Sequence, residues 1–397
     1  MKQYDFTTVT PRYEIGAPKW LAIKKYFPDM PKDIIPFSVA DMELPMAPEI
    51  VNGLQKFINK YPLGYGKATP EYKNAVCNWM KTRHNWEIKS EWLVSTRGVV
   101  NGFYECVKAF TALGEGVIMF TPSYYPMYTS ISCNNRKLAE CPLINTGKRY
   151  EIDFDLFEKL AADPKNKMLL FCSPHNPGGR VWSREELEKV GKICLKNNVI
   201  IASDEIHFDL LAPGVQHTVF ASVSPEIANN CIVMTAPSKT FNLAGLETSN
   251  IIISNEKLRK RYLQEIATTF MDDRCCLLGF EACRIAYEQC ADWLDQVNAL
   301  IYKNRCMVVN FLAKEIPEVV CMDMEGTYLL WMDFSKLGIE SKELAEMLKK
   351  DAKLFFDDGY LFGASANGFE RWNLACPTSY VEAGLQRLKN TINKNTR

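Results

Sequence analysis

The alternation of apolar and helical segments along the chain predicts an α/β fold built around a mainly parallel sheet. Helical patterns occupy several of the gaps between short apolar runs, and each run is typical of a buried strand. Strands that alternate with helices in this way favour a parallel sheet with helices packed on both faces. The apolar runs are Trp92–Val94, Val117–Phe120, Met168–Cys172, Val199–Ala202, Cys231–Thr235 and Ile251–Ile253.

Several segments carry more specific signals about the elements they form. The stretch Phe103–Phe110 has a helical pattern, and Ser183 with Glu186 forms a capping box that predicts the start of another helix. The gap between the last two apolar runs is too short for a helical crossover, so we expect the last strand to be antiparallel. Beyond Ile253 the pattern predicts long helices, followed by a strand within Gly326–Asp333. A second, smaller α+β domain is therefore expected to begin within a long helix near residue 290.

The composition excludes several classes of protein. Lysine plus arginine and aspartate plus glutamate each number 47 in the 397 residues, which gives no electrostatic basis for binding nucleic acid or an anionic membrane. The N-terminal sequence lacks an apolar signal core and no apolar run approaches a membrane span, so we expect a soluble, cytoplasmic protein. The 14 cysteines form no Cys-x-x-Cys motif and the chain has four histidines, so no metal site is predicted and the cysteines are expected to be buried thiols.

Chemically useful side chains follow three consecutive apolar runs. Asn176 comes after the run that ends at Cys172, Asp204 and His207 come after the next run, and Lys239 comes after the third. In an open parallel sheet, ligands bind outside the carboxyl ends of the strands. A pyridinium aldehyde needs an acid at its nitrogen, a donor at its phenolic oxygen and a lysine at its aldehyde. A desolvated lysine loses its proton easily and attacks carbonyl groups.

Six motifs occur in order along the chain: Val39-Ala-Asp-Met42, Gly64-Tyr-Gly66, Ser173-Pro-His-Asn-Pro-Gly-Gly-Arg180, Ser203-Asp-Glu-Ile-His207, Ala236-Pro-Ser-Lys-Thr-Phe-Asn-Leu-Ala-Gly245 and Arg371-Trp-Asn-Leu-Ala-Cys-Pro377. Each motif alone is weakly specific, but the six together are strongly specific. They resemble the fold-type-I enzymes that depend on pyridoxal 5′-phosphate (PLP), the aspartate aminotransferase superfamily. More narrowly, the chain is similar over nearly its whole length to the MalY/PatB-type carbon–sulfur β-lyases.

The resemblance implies a division of the chain and a quaternary structure. The expected fold is that of the PLP-dependent transferases, with a large domain over 45–288 that contains a mainly parallel seven-stranded sheet. The small α+β domain is expected to combine 1–44 with 289–397. The position of Tyr65 implies a homodimer with shared active sites, in which Tyr65 reaches the cofactor phosphate of the partner subunit.

The resemblance also implies which residues hold the cofactor. Lys239 is expected to bind PLP covalently and to take the Cα proton of the substrate. The residues Gly98, Val99 and Val100 precede or begin a predicted helix, whose free N–H groups suit a phosphate, and Ser238 is expected to add a hydroxyl. These residues form the expected phosphate site.

The remaining expected contacts are to the ring and the substrate. Tyr124 is expected to stack on the ring, with Tyr125 as the competing candidate. Asp204 is expected to pair with the ring nitrogen and Asn176 to hydrogen-bond the ring oxygen, and His207 either donates to that oxygen or supports Asp204. Arg371 suits the substrate carboxylate.

Two further positions complete the expected site. Asp41 is expected to line the substrate entrance. Glu247 stands eight residues after Lys239, where aminotransferases of the superfamily carry an arginine that pairs with the phosphate. This departure argues against an aspartate-type aminotransferase and leaves open what balances the phosphate charge.

The function that the resemblance implies is a PLP-dependent C–S β-lyase. It would cleave cystathionine or other L-cysteine S-conjugates to a thiol, pyruvate and ammonia. One alternative is a class I/II aminotransferase, which shares every step through proton abstraction. Another is a regulatory or binding protein that uses the same fold without turnover, although the absence of a basic excess and of an N-terminal DNA-binding segment argues against that class.

Overall fold

The computed structural model describes residues 2–9, 12–31, 33–269 and 275–395. The strands are β1 (Ile35–Pro36), β2 (Leu93–Thr96), β3 (Gly116–Thr121), β4 (Lys137–Pro142), β5 (Ile144–Asn145), β6 (Tyr150–Glu151), β7 (Asn166–Cys172), β8 (Ile200–Asp204), β9 (Cys231–Thr235), β10 (Ser249–Ile252), β11 (Val320–Cys321), β12 (Leu329–Asp333), β13 (Leu354–Phe355), β14 (Asp357–Asp358) and β15 (Phe369–Asn373). The helices are α1 (Pro18–Tyr26), α2 (Pro48–Lys60), α3 (Pro70–His84), α4 (Val99–Phe110), α5 (Tyr125–Ser132), α6 (Phe154–Ala162), α7 (Arg184–Lys196), α8 (Pro225–Ala228), α9 (Pro237–Thr240), α10 (Glu256–Thr268), α11 (Leu277–Gln289), α12 (Ala291–Glu315), α13 (Ser341–Lys350) and α14 (Thr378–Asn395).

A seven-stranded sheet forms the centre of the molecule, in the order β2-β10-β9-β8-β7-β3-β4. Strands β4, β3, β7, β8 and β9 are parallel to one another, whereas β10 is antiparallel to both β9 and β2. The predicted α/β fold and the predicted antiparallel last strand are therefore confirmed.

The apolar runs arise because this sheet is covered on both faces. In β3, the side chains of Val117 and Met119 pack into one hydrophobic cluster, and those of Ile118 and Phe120 pack into another. Successive side chains of a strand point to opposite faces, so every residue of such a strand is buried and the sequence is continuously apolar.

Strand β4 was not predicted from the sequence. It pairs with β3 at the edge of the sheet, and most of its residues are exposed or partly exposed. A strand without burial on both faces has no continuous apolar run, so the sequence Lys137–Pro142 carries no strong strand signal.

A smaller antiparallel sheet, ordered β11-β12-β15-β14, lies in the C-terminal part of the chain. The N-terminal strand β1 pairs with β13, so the N-terminal segment contacts this part. The predicted long helix near residue 290 is two helices, α11 and α12, which meet at Cys290. The division into 45–288 and 1–44 with 289–397 remains a prediction.

No helix within the described ranges has an apolar stretch long enough to cross a membrane.

Candidate active site

Lys239 lies in α9, directly after the central strand β9. Its Nζ donates a hydrogen bond of 2.7 Å to the backbone oxygen of Ala40. Burial lowers the pKa of Lys239 to about 8, although the nearby carboxylates of Asp41 and Asp204 oppose this shift. A substantial fraction of this amine is therefore neutral near pH 8, as a nucleophile or a base requires.

Asp204 ends the neighbouring strand β8 and is 4% exposed. Burial raises the pKa of its carboxyl group to about 7, against a hydrogen bond of 3.1 Å from the backbone N–H of Ile206 and the positive charge of Lys239. A carboxylate in this environment is stabilised by a cationic partner. A protonated ring nitrogen would be such a partner.

His207 lies next to these groups and is 2% exposed. Its ring meets that of Tyr328 edge-on, with 5.7 Å between the centroids. Burial, together with the charges of Lys239 and Arg371, places the pKa of His207 well below its usual value, so the imidazole is neutral. Its Nδ1 is buried without a partner among the described residues, and no hydrogen bond within them joins His207 to Asp204.

Arg371 comes from the small sheet and is 1% exposed. Its Nη1 donates a hydrogen bond of 2.8 Å to Oδ1 of Asn176, so the amide nitrogen of Asn176 is free to donate elsewhere. Its guanidinium group also lies 4.6 Å from the ring centroid of Phe362. The structure thus joins Arg371 to a strand-end residue more than 190 positions away.

The predicted phosphate residues lie at the start of α4. Gly98 is the N-cap, with a φ of 86° that L side chains rarely adopt. The N–H groups of the first turn, which starts at Val99 and Val100, have no acceptor inside the helix. These backbone groups suit a phosphate, and Ser238 lies in the same cavity.

One cavity of about 180 Å³ brings most of the predicted site residues together. Among the described residues that line it, Arg97 and Lys239 have basic side chains, and Asp204 and Glu247 have acidic ones. Tyr124 lines the cavity and its competitor Tyr125 does not. The lining residues are Ala40, Arg97, Gly98, Val99, Val100, Tyr124, Cys172, Asn176, Asp204, Ile206, His207, Ser238, Lys239, Ala244 and Glu247.

Three predicted residues, Arg371, Asp41 and Tyr65, are not among those that line this cavity. Arg371 is connected to it by its hydrogen bond to Asn176. Asp41 follows Ala40, and both of its carboxylate oxygens accept hydrogen bonds of 2.8 Å from Arg12. Tyr65 is fully exposed and lines a neighbouring crevice that also includes Arg97. Asp41 is therefore held in an ion pair, and Tyr65 is available for contact with another molecule.

Three further residues at the site, Asp357, Arg97 and Tyr328, lie outside the motifs that predicted it. Arg97 directly precedes Gly98, one of the predicted phosphate residues, and this position is the sequence signal that could have identified it. Asp357 accepts two hydrogen bonds from Arg371, but Asp357 and Arg371 belong to different strands and no local pattern relates them.

The groups in this cavity fit PLP. The neutral Lys239 amine suits its aldehyde, the buried Asp204 carboxylate suits its ring nitrogen, and the start of α4 suits its phosphate. The unpartnered Nδ1 of His207 and the free amide nitrogen of Asn176 offer further polar contacts.

Comparison with known proteins supports PLP as the molecule that this cavity binds. Residues 32–388 match the family described as aminotransferase class I and II, which covers most of the chain. The chain belongs to this family. The class I and II aminotransferase family is PLP-dependent, so PLP is the cofactor of this enzyme.

Relatives within the class I and II aminotransferase family include enzymes named as lyases. Cystathionine β-lyase PatB of Bacillus subtilis is 36% identical over 357 residues, which cover 90% of this chain and 92% of that protein. Cystalysin from Treponema denticola, whose crystal structure contains PLP, is 44% identical with a TM-score of 0.97, covering 99% of this chain and 100% of that one. The PLP-bound C–S lyase from Staphylococcus hominis is 34% identical with a TM-score of 0.91, covering 98% of both chains. The predicted resemblance and the fold type are confirmed.

Proposed function

We propose that the protein is a PLP-dependent C–S β-lyase that cleaves cystathionine or other L-cysteine S-conjugates to a thiol, pyruvate and ammonia. The observation that carries the proposal is the shared site of Lys239, Asp204 and the Asn176–Arg371 pair. The names of PatB and the Staphylococcus hominis enzyme support the reaction class.

The residues have separate proposed roles in holding the cofactor. Lys239 forms the covalent link, Asp204 pairs with the ring nitrogen and Asn176 donates to the ring oxygen. His207 either donates to the same oxygen or supports Asp204, and its unpartnered Nδ1 favours the first of these roles. Tyr124 covers one face of the ring.

The phosphate contacts are proposed for Gly98, Val99, Val100 and Ser238. When bound, PLP supplies an electron sink for the bond electrons released at Cα of the substrate. No metal ion is needed for this chemistry.

The chain's own groups then perform binding and proton transfer. Arg371 holds the substrate carboxylate through charge-assisted hydrogen bonds, which places the Cα hydrogen near Lys239. Because the pKa of Lys239 is about 8, its neutral amine accepts that proton near neutral pH. Sulfur then leaves from Cβ as a thiolate that takes up a proton, and water completes the balance to pyruvate and ammonia.

A second candidate function is aminotransfer, because the matched family is described as aminotransferase class I and II. The two reactions share proton removal by Lys239 and differ in whether the β-substituent leaves or the proton returns to the cofactor. Glu247, in the position where aminotransferases of the superfamily carry a phosphate-pairing arginine, favours the lyase.

A product assay separates the two candidates. With L-cystathionine or another cysteine S-conjugate, we expect thiol, pyruvate and ammonia in equal amounts over many turnovers without an added keto acid. The reason is that β-elimination needs no second substrate. The measurement is thiol titration with a coupled pyruvate assay. The control is L-alanine, which has no sulfur at Cβ and should give no thiol.

A transferase would behave differently in the same assay. It would stop after one equivalent of substrate per site and would resume only when a keto acid is added. That result, with no thiol from several S-conjugates, would reject the lyase and favour the transferase.

Replacing Arg371 with alanine should weaken substrate binding while PLP stays bound. Removal of one partner from a buried, hydrogen-bonded charge pair costs about 2–5 kcal/mol, so we expect the Kd for an amino acid to rise at least about 30-fold. The measurement is titration of the visible absorbance of the holoenzyme. An unchanged Kd would place the carboxylate site elsewhere.

We propose a homodimer in which Tyr65 contacts the cofactor phosphate of the partner subunit, because Tyr65 is fully exposed and the nearby side chains of Ile58, Tyr61 and Leu63 are also exposed and apolar.

A cytoplasmic location fits the finding that all 14 cysteines are free thiols. Asp41 is proposed to line the substrate entrance.

A further inference from the structure

The carboxylate of Asp357 accepts hydrogen bonds directly from Arg371, the residue proposed to bind the substrate carboxylate. Strands β14 and β15 pair antiparallel, and Asp357 stands opposite Arg371 in their register. Oδ2 of Asp357 accepts hydrogen bonds of 3.1 Å from Nε and 2.5 Å from Nη2 of Arg371. Both residues are largely or wholly buried, so the pair is shielded from solvent.

The number of N–H groups on Arg371 shows what this contact leaves for a ligand. A guanidinium group has five N–H donors. Among the described residues, Asp357 takes one on Nε and one on Nη2, and Asn176 takes one on Nη1. One N–H remains on each terminal nitrogen. Two such donors match the two oxygens of a single carboxylate.

The same oxygen of Asp357 also holds the backbone beside the reactive lysine. It accepts a hydrogen bond of 2.9 Å from the N–H of Val39. Val39 has a φ of 60°, which is costly for a β-branched residue and needs support from its surroundings. The next residue, Ala40, supplies the carbonyl that accepts from Lys239. One carboxylate oxygen thus contacts both the substrate arginine and the loop that faces Lys239.

We propose that Asp357 is a positioning residue that makes the enzyme selective for an α-carboxylate. By occupying Nε and one donor of Nη2, it fixes the guanidinium plane and presents only the remaining pair of terminal donors to the substrate. This inference rests on the proposed role of Arg371, and it does not depend on whether elimination or aminotransfer follows. Without Asp357 the buried guanidinium group loses two of its three hydrogen bonds to the described residues and its fixed orientation.

The test compares two ligands that differ only in the carboxylate. L-alanine and L-alaninamide are titrated against the holoenzyme, and their Kd values come from the change in visible absorbance on mixing. The ratio of the two values measures carboxylate selectivity. In Asp357→Ala we expect this ratio to fall at least about 10-fold, because charge-assisted hydrogen bonds that fix Arg371 are lost. The Kd of alaninamide should change less than about twofold, since it makes no ion pair with Arg371.

Two further variants define the role. Asp357→Asn keeps an oxygen that accepts from Arg371, so it should recover part of the selectivity and guards against misfolding of the alanine variant. Asp358→Asn is the matched control, because Oδ2 of Asp358 bonds to Lys349 and Tyr360 instead. This control should keep the wild-type ratio.

The outcomes separate this inference from the proposed function. Equal weakening of both ligands in Asp357→Ala would show a merely structural role and overturn the inference, as would an unchanged or increased ratio. A wild-type enzyme without selectivity for alanine would overturn both this inference and the role of Arg371. A wild-type enzyme that forms no thiol, but whose selectivity falls in Asp357→Ala, would reject the lyase and support the inference.

Discussion

Replacing Lys239 with alanine is expected to abolish turnover and to remove the covalent attachment of PLP. The side chain has two proposed roles, as nucleophile towards the cofactor and as base towards the substrate. The loss of a positioned general base alone costs about 10²- to 10⁴-fold in rate. Since the covalent link is lost as well, we expect a decrease at or above the upper end of that range.

The attachment itself is measured independently of activity. Reduction of the wild-type holoenzyme with borohydride, followed by peptide mass mapping, should place the cofactor on Lys239. The visible absorbance of the wild type should be changed in Lys239→Ala. Lys19 is the natural internal control, because it is fully buried and bonds to the backbone of Asp41 near the same site. Cofactor found on Lys19, or on any other lysine, would contradict the assignment.

Asp204→Asn should reduce turnover far more than it reduces cofactor content. The variant removes the negative charge proposed to keep the ring nitrogen protonated, whereas Lys239 and the start of α4 remain. We expect turnover to fall about 10²- to 10⁴-fold, a range similar to that for loss of a proton-transfer group. Activity is measured by thiol release and cofactor content by absorbance after dialysis.

The pH dependence of cofactor binding provides a second test of the proposed role of Asp204. Burial raises the pKa of this acid to about 7, so the carboxylate form, which pairs with the ring, is present above that pH and is lost as the pH falls through it. Affinity of the cofactor-free protein for PLP should therefore rise between about pH 6 and 8, and Asp204→Asn should flatten this rise. The neutral fraction of Lys239 also increases towards its pKa of about 8, so some rise should persist in the variant.

Glu205 is the matched control for this substitution. It is the adjacent acid, but its carboxylate bonds to His217, Ser203 and the backbone of Phe220 away from the cavity. Glu205→Gln should lower the free energy of unfolding, because it removes one partner of a buried pair, and it should leave the cofactor spectrum unchanged. Near-normal turnover in Asp204→Asn would reject the role of Asp204 in the reaction.

The α/β fold and the order of the strand-end residues could be predicted from the amino-acid sequence alone. Asn176, Asp204 and Lys239 follow three apolar runs, and the carboxyl ends of neighbouring parallel strands meet at one edge of a sheet. Their convergence in one cavity therefore follows from local patterns plus one topological rule. The edge strand β4 was not predicted, because a strand that is mostly exposed has no continuous apolar run. The end of α11 at Cys290 was not predicted either, because an interruption of one residue hardly changes the apolar periodicity of a helix.

The pairing of charged side chains at the site could not be predicted from the sequence and is seen in the folded chain. Asp41 is bonded to Arg12, and Asp357 is bonded to Arg371 and to Val39, which is 318 positions away in the chain. Apolar periodicity in the sequence predicts whether each side chain faces the core or solvent. It does not predict which other side chain that residue contacts. A bond between two side chains depends on the relative placement of distant segments, and that placement is set by the packing of the whole chain.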